Sequence, residues 1–144
     1  MPLSSPVAFS ESRARRLTRY LLAALFLITG TLHFTHTAAY AAIIPPGFPL
    51  PRVLVLGSGV LELLGAAGLL WPDRRVRRWA AYGLALLLVA VFPANIYMAA
   101  EGIGLEGASG RLLLWLRLPL QLPLIAAAWW VGRGFTGRAR EGGG

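Results

Sequence analysis

Four long apolar runs constrain this chain more than any other feature. A helix rises 1.5 Å per residue, so roughly 20 apolar residues cross a hydrocarbon core of about 30 Å. The first run covers about Leu17 to His36, with LLAALFLITG at its centre, and the second, VLVLGSGVLELLGAAGLLW, covers 53–71. The third spans about Trp79 to Ala100 and the fourth Arg111 to Val131. The whole chain of 144 residues is 56% hydrophobic and 14% charged, with a mean hydropathy of +0.61, which excludes an ordinary soluble domain. The predicted fold class is all-α: an integral membrane bundle of four transmembrane helices, forming a single membrane domain over 1–144.

The charge balance is strongly basic, +8 with all 14 basic residues Arg. Nucleic-acid binding would need these along a solvated face, yet they lie in short blocks between apolar runs. Arg in short loops stays cytoplasmic. Arg13, Arg15, Arg16 and Arg19 precede the first run; Arg74, Arg75, Arg77 and Arg78 separate the second from the third; Arg133, Arg138 and Arg140 follow the fourth. Eleven of 14 thus fall on the side that holds both termini, which is predicted to be the cytoplasmic face of the cell's inner membrane. The opposite side carries Glu101 and Glu106, with Arg52 and Arg111 at helix ends. Tyr20, Trp71, Trp79, Trp129 and Trp130 suit an inner aromatic belt, and Tyr40, Phe48 and Tyr97 an outer one. The string TAAYAA also suits a secretory cleavage site, but the first run continues through Leu32 and Phe34 and the later charges agree with an uncleaved helix.

The first outer connection, residues 37–51, is too apolar for a solvated loop and contains Pro45, Pro46, Pro49 and Pro51. Prolines argue against a regular helix there. The composition fits a segment lying in the outer interface, a lid over the bundle mouth, or a plain connector touching headgroups.

Ionisable groups near a bilayer centre cost about 2.5 to 3.5 kcal/mol on insertion scales and need a partner or a task. Glu62 lies ten residues beyond Arg52, about 15 Å down the second run. Ser58 and Gly65 share its face. Arg117, in the outer part of the fourth run, is the expected partner of Glu62, since pairing sums the buried charge to zero. Gln121 follows Arg117 at i+4, and Asn95 stands in FPAN, where Pro93 loosens the helix ladder. His33 and His36 are spaced i, i+3 at the outer end of the first run and can share a face. All four spans thus bring polar groups to the outer half. Each has a plain reading too: Glu62 with Arg117 as a helix lock, Asn95 and Gln121 as interhelical hydrogen-bond formers, His36 as an interfacial residue. No ligand spacing supports a metal site, and two His on one helix face cannot ligate both sides of a haem. The chain has no Cys, which removes disulfides, thiolate chemistry and Cys-ligated iron–sulfur centres.

The strings GTLHF, GVLELLGAAGLL, VFPANIYMA and LRLPLQLPLI, together with the Pro-rich loop, resemble the DoxX family of small four-helix membrane proteins over about Gly30 to Trp130. The DoxX-like branch, with HF, ELL, FPAN and LRLPLQ, is the nearer match. The resemblance implies a four-helix bundle and a link to respiratory redox chemistry, to oxidative-stress complexes or, in distant relatives, to receptor assembly. The family pattern falls on His33, Glu62, Pro93, Asn95, Arg117, Pro119 and Gln121, and implies no catalytic role for any of them.

Three functions are open to such a chain. A quinone-facing component of a membrane oxidoreductase would use Arg117, Gln121 and Asn95 as donors and His33 and Glu62 to move protons, with electrons from a partner redox protein or a bound reductant. An assembly or interaction subunit, alone or as a homo-oligomer, would need only the polar core. A small-molecule carrier would use Pro93, Pro119 and Pro123 as hinges, although few polar residues line the inner half. The topology is tested by fusions in a bacterial host: a fluorescent protein at the C-terminus is expected to fluoresce, and alkaline phosphatase inserted after Glu106 to be active. The opposite pattern would invert the orientation.

Overall fold

The structure is a computed structural model that describes residues 11–103 and 111–135. It is all-α, and four of its helices are long and apolar enough to cross a membrane, so the protein is a multi-pass membrane protein. Helix α1 spans Arg13–Thr35, α2 Thr37–Ala42, α3 Pro51–Leu70, α4 Arg74–Glu101 and α5 Arg111–Arg133. The helix ends follow local chemistry. Ser12 caps α1 by accepting from the Arg15 N–H at 3.3 Å, and Asp73 caps α4 by accepting from the N–H groups of Arg75 and Val76. Pro51 starts α3, where its missing N–H costs nothing, and Gly102 ends α4 in the left-handed conformation.

α1 and α4 begin earlier than the apolar runs, at Arg13 and Arg74, because arginine is a good helix former and its long side chain suits a headgroup region. The outer connection differs from expectation. Residues 37–42 form the short helix α2, since every proline of the loop lies at 45 or beyond and TAAYAA is free to coil. After it, Ile43 is buried in a cluster with Met98, Ala99 and Leu114.

The long helices alternate up and down. α1 packs on α3, α3 on α4 and α4 on α5, and α5 closes the ring against α1; α3 and α5 lie on a diagonal, their backbones apart. The core is in two parts. An arginine-end cluster joins Leu22, Ala23, Phe26, Ala66, Leu69, Ala81, Leu84, Ala85, Ala128 and Val131. A smaller cluster at the other end joins Ile43, Met98, Ala99 and Leu114, with Tyr40, Ile103 and Leu118 against it. Large apolar side chains such as Leu86, Leu64 and Leu120 face outward, as a bilayer solvent allows.

Small residues set the helix spacing. A methyl group on Gly59 of α3 would lie 2.7 Å from His33 Cβ and 3.1 Å from the Gly30 carbonyl oxygen of α1. At the arginine end, a methyl on Gly68 would lie 2.7 Å from Ala80 Cβ, and one on Gly65 would strike Leu84. There too sits Arg19, 2% exposed, whose guanidinium donates to the Leu69 carbonyl at 2.8 Å and pairs twofold with Glu11 at 3.0 and 3.1 Å. It satisfies an orphan carbonyl at the end of α3 and sits where that helix's dipole favours a cation. Charge counting assigns Arg19 to topology alone; its packing makes it a structural clamp.

Gly59→Ala is expected to force α1 and α3 apart and to lower stability by about 1 to 3 kcal/mol, measured by thermal unfolding in detergent. Gly83→Ala, where an added methyl meets nothing within 4 Å, is expected to be neutral or stabilising.

Candidate functional site

Between the two core clusters lies a cavity of about 520 Å³, within the range of ligand pockets. Its polar lining is Thr29 and His33 from α1, Tyr40 from α2, Ser58 and Glu62 from α3, Asn95 from α4 and Arg117 from α5. The rest of the wall is apolar and includes Phe26, Ile43, Val55, Leu87, Leu88 and Val91.

Glu62, 7% exposed, turns toward α1. Its Oε2 is 2.5 Å from Thr29 Oγ1, and its Oε1 lies 3.9 Å from His33 Nε2. Thr29 has one hydroxyl hydrogen and two candidate acceptors, Glu62 and the Leu25 carbonyl at 3.1 Å. An ionised Glu62 accepts that hydrogen; a protonated Glu62 donates to Thr29, which then donates to Leu25. The contact therefore serves both states of the carboxyl group. His33 Nδ1 lies 2.8 Å from the Thr29 carbonyl, which can only accept, so Nδ1 carries a hydrogen and Nε2 faces the carboxylate. The imidazole stacks on Tyr40 with centroids 4.2 Å apart. Burial pushes the Tyr40 hydroxyl above its ordinary range; the Glu62 charge adds to this and Arg117 opposes it.

The expected ion pair between Glu62 and Arg117 does not form. The two stand on diagonal helices, and the close approach of Gly59 to α1 aims Glu62 at Thr29 and His33 instead. Arg117 lines the cavity, half-buried, and makes no hydrogen bond or ion pair with any described residue. The amide pair is as the plain reading has it: Asn95 Nδ2 donates to Gln121 Oε1 at 2.7 Å, and Gln121 Nε2 donates to the Leu88 carbonyl. Gln121 is buried behind the wall, whereas Asn95 and Pro93 reach the cavity. Pro119 is exposed and outside it.

His36 does not join His33. The helix ends at His36, whose backbone leaves the helical region and whose ring meets the Thr35 hydroxyl at 2.7 Å, so the i, i+3 relation is lost. Ser58 has a further property: its Oγ is buried in the cavity wall without a hydrogen-bond partner among the described residues, an unusual cost for a hydroxyl group. Sequence reading missed Thr29 and Tyr40. Thr29 stands four residues before His33, which puts both on one face of α1, but a lone Thr in an apolar run carries little signal. Tyr40 reads as an outer belt residue; α2 turns it inward. No group of three or more His, Cys, Asp or Glu able to hold a metal occurs among the described residues.

A family described as a domain of unknown function, DUF8561, matches residues 22–132, which cover the cavity, all of α3 and α4 and most of α1 and α5. No curated protein and no solved structure matches the chain.

Gln121→Leu leaves Asn95 and the Leu88 carbonyl without their partner and is expected to cost about 0.6 to 2 kcal/mol in unfolding experiments. Arg117→Met removes an intramembrane charge with no counter-ion among the described residues and is expected to be neutral or stabilising. A large loss from Arg117→Met would show that its charge is paired after all.

Proposed function

Given that the chain belongs to the DUF8561 family, we propose that it binds a quinone in this cavity and serves as the membrane component of a quinone-linked oxidoreductase. One observation carries the reading: an apolar cavity in the membrane converges on a hydroxyl, a carboxyl, an imidazole and a guanidinium, and the Ser58 hydroxyl and the Arg117 guanidinium have no hydrogen-bond partner among the described residues. A quinone ring needs apolar walls and donors to its two carbonyl oxygens, and Ser58, Arg117 and the second Asn95 N–H are donors of that kind.

Reduction of a quinone takes two electrons and two protons and yields the quinol. Glu62 and His33 are suited to pass protons to the two oxygens, because Thr29 holds either state of Glu62 and Nε2 of His33 is oriented toward it. The chain has no Cys to hold an iron–sulfur centre, and His33 and His36 cannot bracket a haem, so the electrons come from a partner redox protein or from a bound reductant. The resemblance of GTLHF, FPAN and LRLPLQ to DoxX-family strings supports a respiratory setting. The arginine distribution supports the cell's inner membrane with both termini in the cytoplasm.

An assembly subunit is the second reading, favoured by the Thr29–Glu62 bond that ties α1 to α3. Binding separates the two. In lipid nanodiscs the protein is expected to bind menadione, and Glu62→Gln and His33→Phe to weaken it about tenfold, or 1.4 kcal/mol. If the wild type binds no quinone even with its redox partner present, the oxidoreductase reading falls. The assembly reading expects Glu62→Gln to lower stability or partner recovery alone.

A further inference from the structure

The cavity is closed on some sides and open on one. Of its lining residues, those on α1 and α2 are buried or half-buried, as are Ile43, Ile44 and Pro45 after α2. The exposed lining residues are Val53, Leu54, Gly57 and Leu61 on α3, Ala90 and Pro93 on α4, and Phe48 at the rim. Gly57 and Leu61 lie six and ten residues from Pro51, about 9 and 15 Å along α3, which places the gap in the outer leaflet. α3 and α4 meet tightly at the arginine end, where Gly68 and Gly65 admit Ala80 and Leu84. The opening lies farther out, where Gly57 leaves a side-chain-sized space and Pro93 removes one rung of the α4 ladder.

The aqueous route is covered. The cluster of Ile43, Met98, Ala99 and Leu114, with Tyr40 and Ile103 packed on it, stands at the loop end of the bundle. On the other side the larger apolar core and the Arg19 clamp seal the arginine end. Every exposed group around the mouth is apolar, whereas the floor holds Ser58, Glu62 and His33.

We propose that the gap between α3 and α4 is a lateral portal to the outer leaflet, and that the ligand is a membrane-dissolved amphiphile whose head reaches Ser58 while its apolar tail lies between the two helices. This rests on the quinone reading for the head and adds the tail, the route and the leaflet. A tailed ligand keeps the portal filled while bound; a tail-less ring is held in the cavity alone.

Gly57 makes the test clean, because a Cβ there meets nothing within 4 Å and the fold does not require glycine. Gly57→Phe and, as a second variant, Ala90→Phe place a ring in the portal and leave the floor intact. Affinities for phylloquinone, which carries a phytyl tail, and for tail-less menadione are measured in nanodiscs by equilibrium dialysis, with thermal unfolding as the fold control. In both variants phylloquinone is expected to bind about tenfold more weakly, 1.4 kcal/mol, with menadione within about twofold of wild type. Wild-type phylloquinone affinity in the folded variants overturns the portal while leaving the quinone reading in place. Equal loss of both probes overturns it as well, because the substitutions then act on the head site. If wild type binds neither probe, the quinone reading fails first and the portal with it.

Discussion

The contact on which the rest depends is the close approach of α1 and α3 at Gly30 and Gly59. With no side chain on Gly59, the two backbones come near enough for His33 to pack its Cβ against α3. Glu62, one turn below Gly59, then faces Thr29 and the imidazole rather than lipid or the diagonal helix. A carboxyl group at that depth is costly unless it is hydrogen-bonded. The glycine contact therefore stabilises the polar site indirectly, and the site would not assemble on helices held apart by larger residues.

The bundle divides its labour along its length. At the arginine end, small residues on α3, α4 and α5 allow a tight apolar core, and Arg19 ties α1 to the last turn of α3 through the Leu69 carbonyl. That buried bond is stronger than an ordinary neutral one because the donor is charged. Toward the loop end the helices carry prolines and amide side chains, and packing gives way to a cavity. Asn95 and Gln121 hold α4 to α5 there, using the Leu88 carbonyl as a second anchor. The residues that keep the cavity from collapsing are thus partly those that furnish its polar surface.

Much of this is legible in the sequence. The four spans and the positions of Glu62 and His33 along them follow from hydropathy and helical rise. That Asn95 and Gln121 form interhelical hydrogen bonds follows too, but that they bond to each other does not. The partner of Glu62 did not, because depth along a helix is a one-dimensional quantity and says nothing about which helices are neighbours. Thr29 and Tyr40 were hidden for a similar reason: a threonine can bond to its own helix, and a tyrosine near a boundary reads equally well as a membrane anchor.

The amino-acid order alone therefore establishes an all-α membrane protein of four spans, because every residue's cost of transfer into lipid is local and adds along the chain. Folding in three dimensions settles which charges meet. Glu62 joins Thr29 and His33, Arg117 has no acid partner and the Ser58 hydroxyl no hydrogen-bond partner among the described residues, and a gap opens between α3 and α4. Those outcomes depend on the cyclic order of the helices and on where glycine lets backbones touch, and both are properties of the packed bundle rather than of any single span.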